Sequence, residues 1–366
     1  MKKKLLGVLL ATTLCVGMLA GCGGSSSSSD TSADTSAATE ETTETATEET
    51  TEAAADTTAA SGDLADKKVG VCIYQFSDNF MTLFRNELEN YLIEQGFAKD
   101  NITIVDGAND QATQTGQIDN FIADGVDVLI INPVNSSSAA TITDKVVAAD
   151  IPLVYINREP DADEEQRWED NGWNVCYVGC DARQSGTYQG EIIADLGIDA
   201  IDFNGNGKVD YIMIEGDPEN VDAEYRTEFS VKAVEDAGLE VNCLDDQVGM
   251  WDQAKGQELV ANDLSQYGND VEVVFCNNDA MALGALQAIQ AAGRTVGTDI
   301  YLVGVDALTE VVQDVIDGTI TGTVFNDHFA QSHSAADAAI NFVNGSANDY
   351  QKVTKDNAEE ILSMIQ

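Results

Sequence analysis

Residues 68–95, KVGVCIYQFSDNFMTLFRNELENYLIEQ, contain the pattern from which the architecture of this 366-residue chain follows. They begin with a β-rich run, Lys68–Phe76, which leads into the segment Asn79–Gln95. The apolar residues of that segment recur at helical spacing: Met81, Phe84, Leu88 and Leu92. The stretch is therefore predicted to be a strand followed by a helix. Because the same alternation recurs along the chain, it predicts parallel sheets with helices on both faces.

The alternation forms two series, separated by an acidic segment, Arg158–Gly172, that we expect to be irregular. The predicted strands of the first series are Lys68–Phe76, Ile102–Val105, Val128–Asn132 and Leu153–Asn157. Those of the second series are Val175–Gly179, Val209–Ile214, Leu239–Cys243, Val271–Cys276, Tyr301–Val305 and Thr319–Phe325. A last helix is predicted over His328–Asn344. Two consecutive doubly wound units indicate an α/β protein with two lobes and a cleft between them.

The N-terminal segment has the pattern of an export signal. Lys2–Lys4 are basic, Leu5–Leu19 are apolar, and small residues lead to Cys22. This ending resembles a bacterial lipoprotein signal, which implies residues 1–22 as a signal peptide and a lipid on Cys22. An ordinary secretory signal or an uncleaved anchor is the alternative, although the apolar run is short for a membrane span.

Residues 23–66 are rich in Ser, Thr, Ala and Glu and contain no Lys or Arg. The first basic residues after this segment are Lys67 and Lys68. Such a composition cannot bury a core, so we expect a disordered tether. A long tether after a lipidated cysteine suits attachment outside a Gram-positive membrane, with a periplasm as the alternative. The net charge of −46 argues against nucleic acid or anionic lipid surfaces as partners.

The five cysteines after Cys22 are scattered along the chain: Cys72, Cys176, Cys180, Cys243 and Cys276. Their odd number and the apolar runs around most of them favour buried, reduced thiols over a disulfide framework. Only two histidines exist, and both are distant from the Cys176–Cys180 pair. A zinc site is therefore not expected.

Residues 202–210, DFNGNGKVD, follow the spacing of a calcium-binding loop. The candidate oxygen ligands are Asp202, Asn204, Asn206, the backbone carbonyl of Lys208, and Asp210. The bidentate Glu that ends an EF-hand loop is absent, because Met213 occupies its position. Calcium takes six to eight oxygens, so a further carboxylate has to come from elsewhere. An Asn/Gly turn without an ion is the alternative.

Polar and aromatic residues lie at the ends of several predicted strands: Ser77–Phe80, Asn132–Pro133, Asn277–Asp279, Asp306 and Asn326–Asp327. Trp251–Asp252 precede a predicted helix. Each alone is typical of a helix N-cap or a turn. Together they bring amides, carboxylates and flat rings to one edge of a cleft, which favours a polyol ligand. No catalytic motif is present, and carboxylate pairs in so acidic a chain do not indicate a glycosidase.

The chain from about Lys67 to His333 resembles the bacterial galactose- and glucose-binding proteins, the receptors of ABC sugar importers. The motifs that carry the resemblance are YQFSDNFM (74–81), DFNGNGKVD (202–210), DAEYRT (222–227), MWD (250–252), NNDAMALGA (277–285), GVDAL (304–308) and GTVFND (322–327). Their order and spacing together are specific. The resemblance implies the type I periplasmic binding protein fold, two lobes joined by a hinge with three crossings.

The same resemblance implies a role for particular residues. Phe80 and Trp251 would stack on a pyranose ring, and the hydrogen-bonding residues would be Asp78, Asn132, Asp222, Arg226, Asn278, Asp306 and Asn326. It also supplies the missing calcium ligand, Glu272. Asn220 stands where the family has a sugar-binding His, so that contact is expected to differ here.

The resemblance also assigns the lobes. The N-terminal lobe would comprise residues 67–155 and about 327–345, and the C-terminal lobe residues 156–326 and about 346–366, with crossings near Ile156, Asn326 and Ser346. The expected function is the capture of glucose or galactose for an ABC permease by a monomeric, lipid-anchored, non-enzymatic receptor. A receptor for another monosaccharide, a chemosensory sugar receptor and a glycosidase are the alternatives.

Overall fold

The computed structural model describes residues 64–345, all of which belong to one compact unit. The predicted signal peptide, Cys22, most of the predicted tether and the crossing near Ser346 lie outside this range. Within it, no helix is both long enough and apolar enough to span a bilayer. Leu64–Asp66 forms a 3-10 turn whose Leu64 is buried, so the folded part begins before the predicted end of the tether at residue 66.

The first lobe contains a five-stranded parallel sheet. Its strands are β1 (Val69–Ile73), β2 (Ile102–Asp106), β3 (Val128–Ile131), β4 (Leu153–Ile156) and β5 (Val175–Val178), in the spatial order β2-β1-β3-β4-β5. The helices of this part are α1 (Asn79–Glu94), α2 (Gln111–Asp124), α3 (Ala139–Ala148) and α4 (Ala162–Asn171). A helix from the other end of the described chain, α11 (His328–Val343), packs beside α1 and completes the lobe.

The second lobe contains a four-stranded parallel sheet. Its strands are β6 (Val209–Glu215), β7 (Val241–Val248), β8 (Val273–Cys276) and β9 (Tyr301–Val303), in the order β7-β6-β8-β9. Its helices are α5 (Ala182–Ala194), α6 (Ile198–Ile201), α7 (Val221–Asp236), α8 (Gln253–Tyr267), α9 (Asp279–Ala291) and α10 (Thr309–Asp317). The predicted α/β class with two parallel-sheet lobes is confirmed.

The central strands of each sheet are buried on both faces, which explains why they are apolar at successive positions, whereas the edge strand β7 is largely exposed and polar. In β1, Val71 and Ile73 pack with residues of α1 and α11, whereas Cys72 faces the cluster built from α2 and α3. In β6, Ile212 and Ile214 pack toward α8 and α9, and the alternate residues face α5 and α7. This two-sided burial leaves the strand ends as the place where polar residues can converge.

The predicted boundary between the lobes is wrong. β5 pairs with β4, so the first lobe extends to Val178, and the crossing predicted near Ile156 falls inside β4. The chain enters the second lobe only between Val178 and α5. The prediction was wrong because the lobe to which a strand belongs is decided by the strand it pairs with. The apolar sequence of β5 predicts a strand but does not indicate which sheet that strand joins.

Three smaller expectations are also corrected. The segment Arg158–Gly172 is not irregular throughout, because α4 occupies most of it and buries Trp168. The predicted strand Thr319–Phe325 reduces to isolated bridges at Gly322 and Phe325. Cys180 and Cys243 are exposed, contrary to the prediction that the thiols are buried.

Candidate functional site

A polar cavity lies between the two lobes, at the carboxyl ends of their strands. All but one of the predicted ligand-binding residues line it: Asp78, Phe80, Asn220, Asp222, Arg226, Trp251, Asn278, Asp306 and Asn326. The first lobe contributes Asp78 and Phe80, and most of the others come from the second lobe. The structure therefore brings together residues that are up to 248 positions apart in sequence.

Several of these residues are helix caps that also line the cavity. Asp78 accepts a hydrogen bond from the Met81 amide (2.7 Å) at the start of α1, and Asn278 accepts one from the Met281 amide (2.9 Å) at the start of α9. Asn220 caps α7 in the same way. Because a cap uses only part of a side chain's hydrogen-bonding capacity, capping and ligand binding are compatible at these positions.

The two aromatic residues reach the cavity from opposite lobes. Phe80 is on the first turn of α1, and Trp251 follows β7 with a left-handed backbone (φ 62°). Gly216 lies against the indole, where a Cβ would come within 2.0 Å of the ring. Glycine at 216 is thus required for Trp251 to occupy its place on the cavity wall.

The charged residues of the second lobe form a buried group around Arg226. Its guanidinium donates to the Asn277 carbonyl (2.9 Å) and lies 3.9 Å from a carboxylate oxygen of both Asp222 and Asp306. Among the described residues, neither Asp222 Oδ1 nor Arg226 Nε has a hydrogen-bond partner. Buried polar atoms without partners are costly, and a ligand rich in hydroxyls would satisfy them.

Burial changes the acidity of these carboxyls. Desolvation raises the pKa of Asp222 to about 6, an effect that the nearby Arg226 only partly offsets. Desolvation also raises the pKa of Asp306, which accepts a hydrogen bond from Asn326 Nδ2 (3.1 Å). Gln331 in turn donates to Asn326 Oδ1 (2.7 Å) and fixes the orientation of that amide.

Asn132 does not line the cavity, so the structure does not place it beside the other predicted ligand-binding residues. Its side chain is fully buried behind Asn157, where Asn132 Nδ2 donates to Asn157 Oδ1 (3.2 Å) and to the Ile156 carbonyl (3.2 Å). Asn157, which has a left-handed backbone (φ 63°), lines the cavity instead. Both asparagines follow a strand, and sequence position alone did not distinguish them.

Sequence reasoning also missed Arg158, Tyr74 and Met81. Arg158 is fully buried, its guanidinium lies 3.9 Å from the centre of the Tyr74 ring, and its Nη1 donates to the Val134 carbonyl. Its Nε and Nη2 have no partner in the described part of the chain. The available signal was its position directly after a strand, but the acidic residues that follow led us to assign it to an irregular segment.

The predicted calcium loop lies between α6 and β6, in the second lobe and outside the cavity. Glu272 is brought to it as the resemblance implied: its carboxylate accepts from the amides of Phe203 (2.6 Å), Asn204 (3.1 Å) and Asp210 (3.1 Å). Asp202 accepts from the amides of Gly205, Asn206 and Gly207. Asp210 Oδ2 receives the side-chain amides of Asn204 and Asn206, both at 2.6 Å.

The donor set of this loop fits a hard cation in chemistry, since it offers carboxylate, amide and carbonyl oxygens. No three His, Cys, Asp or Glu side chains anywhere in residues 64–345 are grouped closely enough to hold a metal ion. The fit therefore depends on the Asn204 and Asn206 oxygens, which have to take the place of the amide nitrogens that now face Asp210.

Two doubly wound lobes with a polar cavity between them define a two-lobed ligand-binding protein. Residues 69–347 match the periplasmic binding protein domain family, and the chain belongs to that family.

Two relatives and one solved structure are similar over most of their length. The D-galactose/methyl-galactoside binding periplasmic protein MglB of Haemophilus influenzae is 35% identical, covering 79% of this chain and 85% of that protein. A putative rhizopine-binding protein of Rhizobium meliloti is 33% identical, covering 80% and 91%. The crystal structure of an ABC transporter solute binding protein of Bacillus halodurans with bound myo-inositol is 27% identical, with a TM-score of 0.68 over 83% of this chain and 99% of that one.

Proposed function

We propose that this protein captures a monosaccharide, glucose or galactose, between its lobes and delivers it to an ABC permease. The observation that carries the proposal is the cavity wall, which combines Phe80 and Trp251 with buried carboxylates, amides and Arg226. Flat rings contact the C–H faces of a sugar, and charge-assisted hydrogen bonds hold its hydroxyls. The likeness to MglB supports the choice of sugar.

A cyclitol is the second candidate ligand. Asn220 places an amide where the resemblance implied a histidine, and Arg158 adds guanidinium donors that were not predicted. The similar structure with bound myo-inositol supports this candidate. The two ligand classes share a ring of hydroxyls, so only direct measurement separates them.

The test is a thermal-shift screen of the purified protein with glucose, galactose, ribose and myo-inositol, followed by calorimetry on each ligand that stabilises it. We expect a hexose to bind most tightly. Trp251→Ala should weaken binding about a hundredfold or more, because it removes a large stacking surface from a closed cavity.

Met250→Ala is the matched control, since Met250 is the exposed neighbour with the same left-handed backbone and does not line the cavity. It should leave affinity unchanged. The proposal fails if no sugar or cyclitol stabilises the protein, and the stacking role fails if Trp251→Ala binds as tightly as the unaltered protein.

We also propose structural calcium in the loop 202–210. The residues that would hold it are Asp202, Asn204, Asn206, Lys208 through its carbonyl, Asp210 and Glu272. A bound cation would neutralise carboxylates in a chain of net charge −46 and tie the loop to the strand that begins after Glu272. Because the loop lies outside the cavity, we propose a role in stability and none in ligand recognition.

The N-terminal pattern supports a proposal about attachment to the cell. We propose a lipid on Cys22, with residues 23–63 as the tether that holds the binding unit outside the membrane. Metabolic labelling with a palmitate analogue, compared between the unaltered protein and Cys22→Ala, tests this anchor.

A further inference from the structure

A buried ion pair joins the two lobes at one end of the cavity. Arg158 follows β4 of the first lobe, and Asp217 follows β6 of the second. Arg158 Nη1 lies 3.0 Å from Asp217 Oδ2, and both side chains are almost completely buried. Neither residue was predicted from the sequence to take part in the site.

Asp217 is held in one orientation. Its Oδ1 accepts a hydrogen bond from the Glu219 amide (3.0 Å), which leaves Oδ2 to face Arg158. The same loop makes a second contact between the lobes, in which Asn135 Nδ2 donates to Glu219 Oε2 (2.8 Å). Asp217 itself does not line the cavity, so it acts on a ligand only through Arg158.

The charge that Arg158 presents to the cavity therefore depends on Asp217. Arg158 lines the cavity, and its Nε and Nη2 are without partners in the described part of the chain. An unpaired guanidinium in a low-dielectric cavity would attract a carboxylate or phosphate strongly. With Asp217 beside it, the guanidinium keeps its charge and its donors, but the ion pair as a whole has no net charge, which suits hydroxyl and ring oxygens.

We propose that Asp217 is a specificity-determining residue that holds Arg158 across the cleft and restricts the cavity to uncharged ligands. This inference rests on the proposed function, because it concerns which members of the sugar and cyclitol class enter the site. The remaining charged residues of the cavity, Asp78, Asp222, Asp306 and Arg226, act in the same direction, since acids outnumber the single arginine among them.

The test compares a neutral sugar that binds with the corresponding uronic acid, by calorimetry at pH 7.5. We expect the unaltered protein to bind the neutral sugar and to reject the acid. Asp217→Asn keeps the size of the side chain and an oxygen for the Glu219 amide but removes the charge. It should shift the affinity ratio toward the acid by about tenfold or more.

Glu219→Gln is the matched control, because it removes a charge from the same loop at an exposed residue that does not contact Arg158. It should change the ratio less than twofold. Arg158→Gln leaves Asp217 unpaired and should shift the affinity ratio away from the acid. This second variant tests the inference if Asp217→Asn does not fold.

An unchanged ratio in Asp217→Asn, or a shift toward the acid in Arg158→Gln, overturns the inference. If the unaltered protein binds no neutral sugar or cyclitol, the proposed function fails first. These outcomes are distinguishable, because the inference alone fails only when neutral ligands bind normally.

Discussion

Asp222 has a carboxyl group that is buried in the site without a close ion pair. Its side chain is buried, one of its oxygens has no partner among the described residues, and Arg226 approaches the other only to 3.9 Å. Its raised pKa of about 6 is the result. The ligand-free site is therefore electrostatically unfavourable at neutral pH, and a ligand that donates hydroxyls to Asp222 relieves the cost.

This pKa predicts a pH dependence of stability. A native pKa of about 6, above the ordinary 3.8, means that the folded state binds a proton that the unfolded chain has lost. The resulting stabilisation is fully present below about pH 4 and is lost as the pH rises through 6. Between pH 4.5 and 7.5 this loss should lower the free energy of unfolding by about 2 kcal/mol.

Urea unfolding of ligand-free protein measures this effect, and Asp222→Asn should remove that part of the pH dependence. Asp110→Asn is the control: hydrogen bonds from Thr113 lower the pKa of this exposed cap, so its replacement should act in the opposite sense. Parallel pH profiles for the unaltered protein and Asp222→Asn would contradict the prediction.

The proposed calcium site can be tested at Glu272. Calcium that binds only the folded state raises the melting temperature in proportion to the logarithm of its concentration above the dissociation constant. We expect 1 mM calcium to raise the melting temperature relative to EGTA in the unaltered protein. Glu272→Gln, which keeps an oxygen for the loop amides but removes the charge, should reduce that difference strongly.

Asp199→Asn serves as the control for Glu272→Gln, because it removes an exposed charge from the neighbouring α6 without touching the loop. It should keep the full response to calcium. Equal melting temperatures in calcium and EGTA for the unaltered protein would contradict the proposed calcium site. The loop would then be an Asn/Gly turn that binds no ion.

At the scale of elements, the contact between α5 and α7 depends on glycine. A Cβ at Gly190 would come within 2.1 Å of the Ser230 carbonyl and 2.7 Å of the Ala233 side chain. Gly186 on the same helix approaches the backbone of Arg226. The close approach of these helices therefore fixes α7, whose first turn carries Asp222 and Arg226.

Gly190→Ala should destabilise the protein by about 1–3 kcal/mol, since the added methyl group forces the two helices apart. Gly116→Ala is the matched comparison, because Gly116 lies on the exposed side of α2 with nothing within 4 Å of its Cβ position. That change should stabilise the protein by up to about 1 kcal/mol through helix propensity. Urea midpoints measure both, and equal midpoints would show that α5 and α7 can separate without cost.

At the scale of the whole molecule, the sequence predicted the two doubly wound lobes and most of the cavity. It succeeded where the signal is local: an apolar strand followed by a polar residue, as at Asp78, Asn278 and Asp306. The prediction failed where the position of a residue or strand is decided by what it contacts in the folded protein. The pairing of β5 with β4, the position of Asn132 behind Asn157 and the ion pair of Arg158 with Asp217 each depend on a residue distant in the chain.

The place of α11 in the first lobe has a consequence for the order in which the molecule is made. Ala335, Ala339 and Phe342 of α11 belong to the same core as β1, whereas the described strands and helices of the second lobe all lie between β5 and α11 in the chain. Domains fold as units once their residues are available. During synthesis the described elements of the second lobe are available before α11, and the lobe that begins the chain must wait for α11.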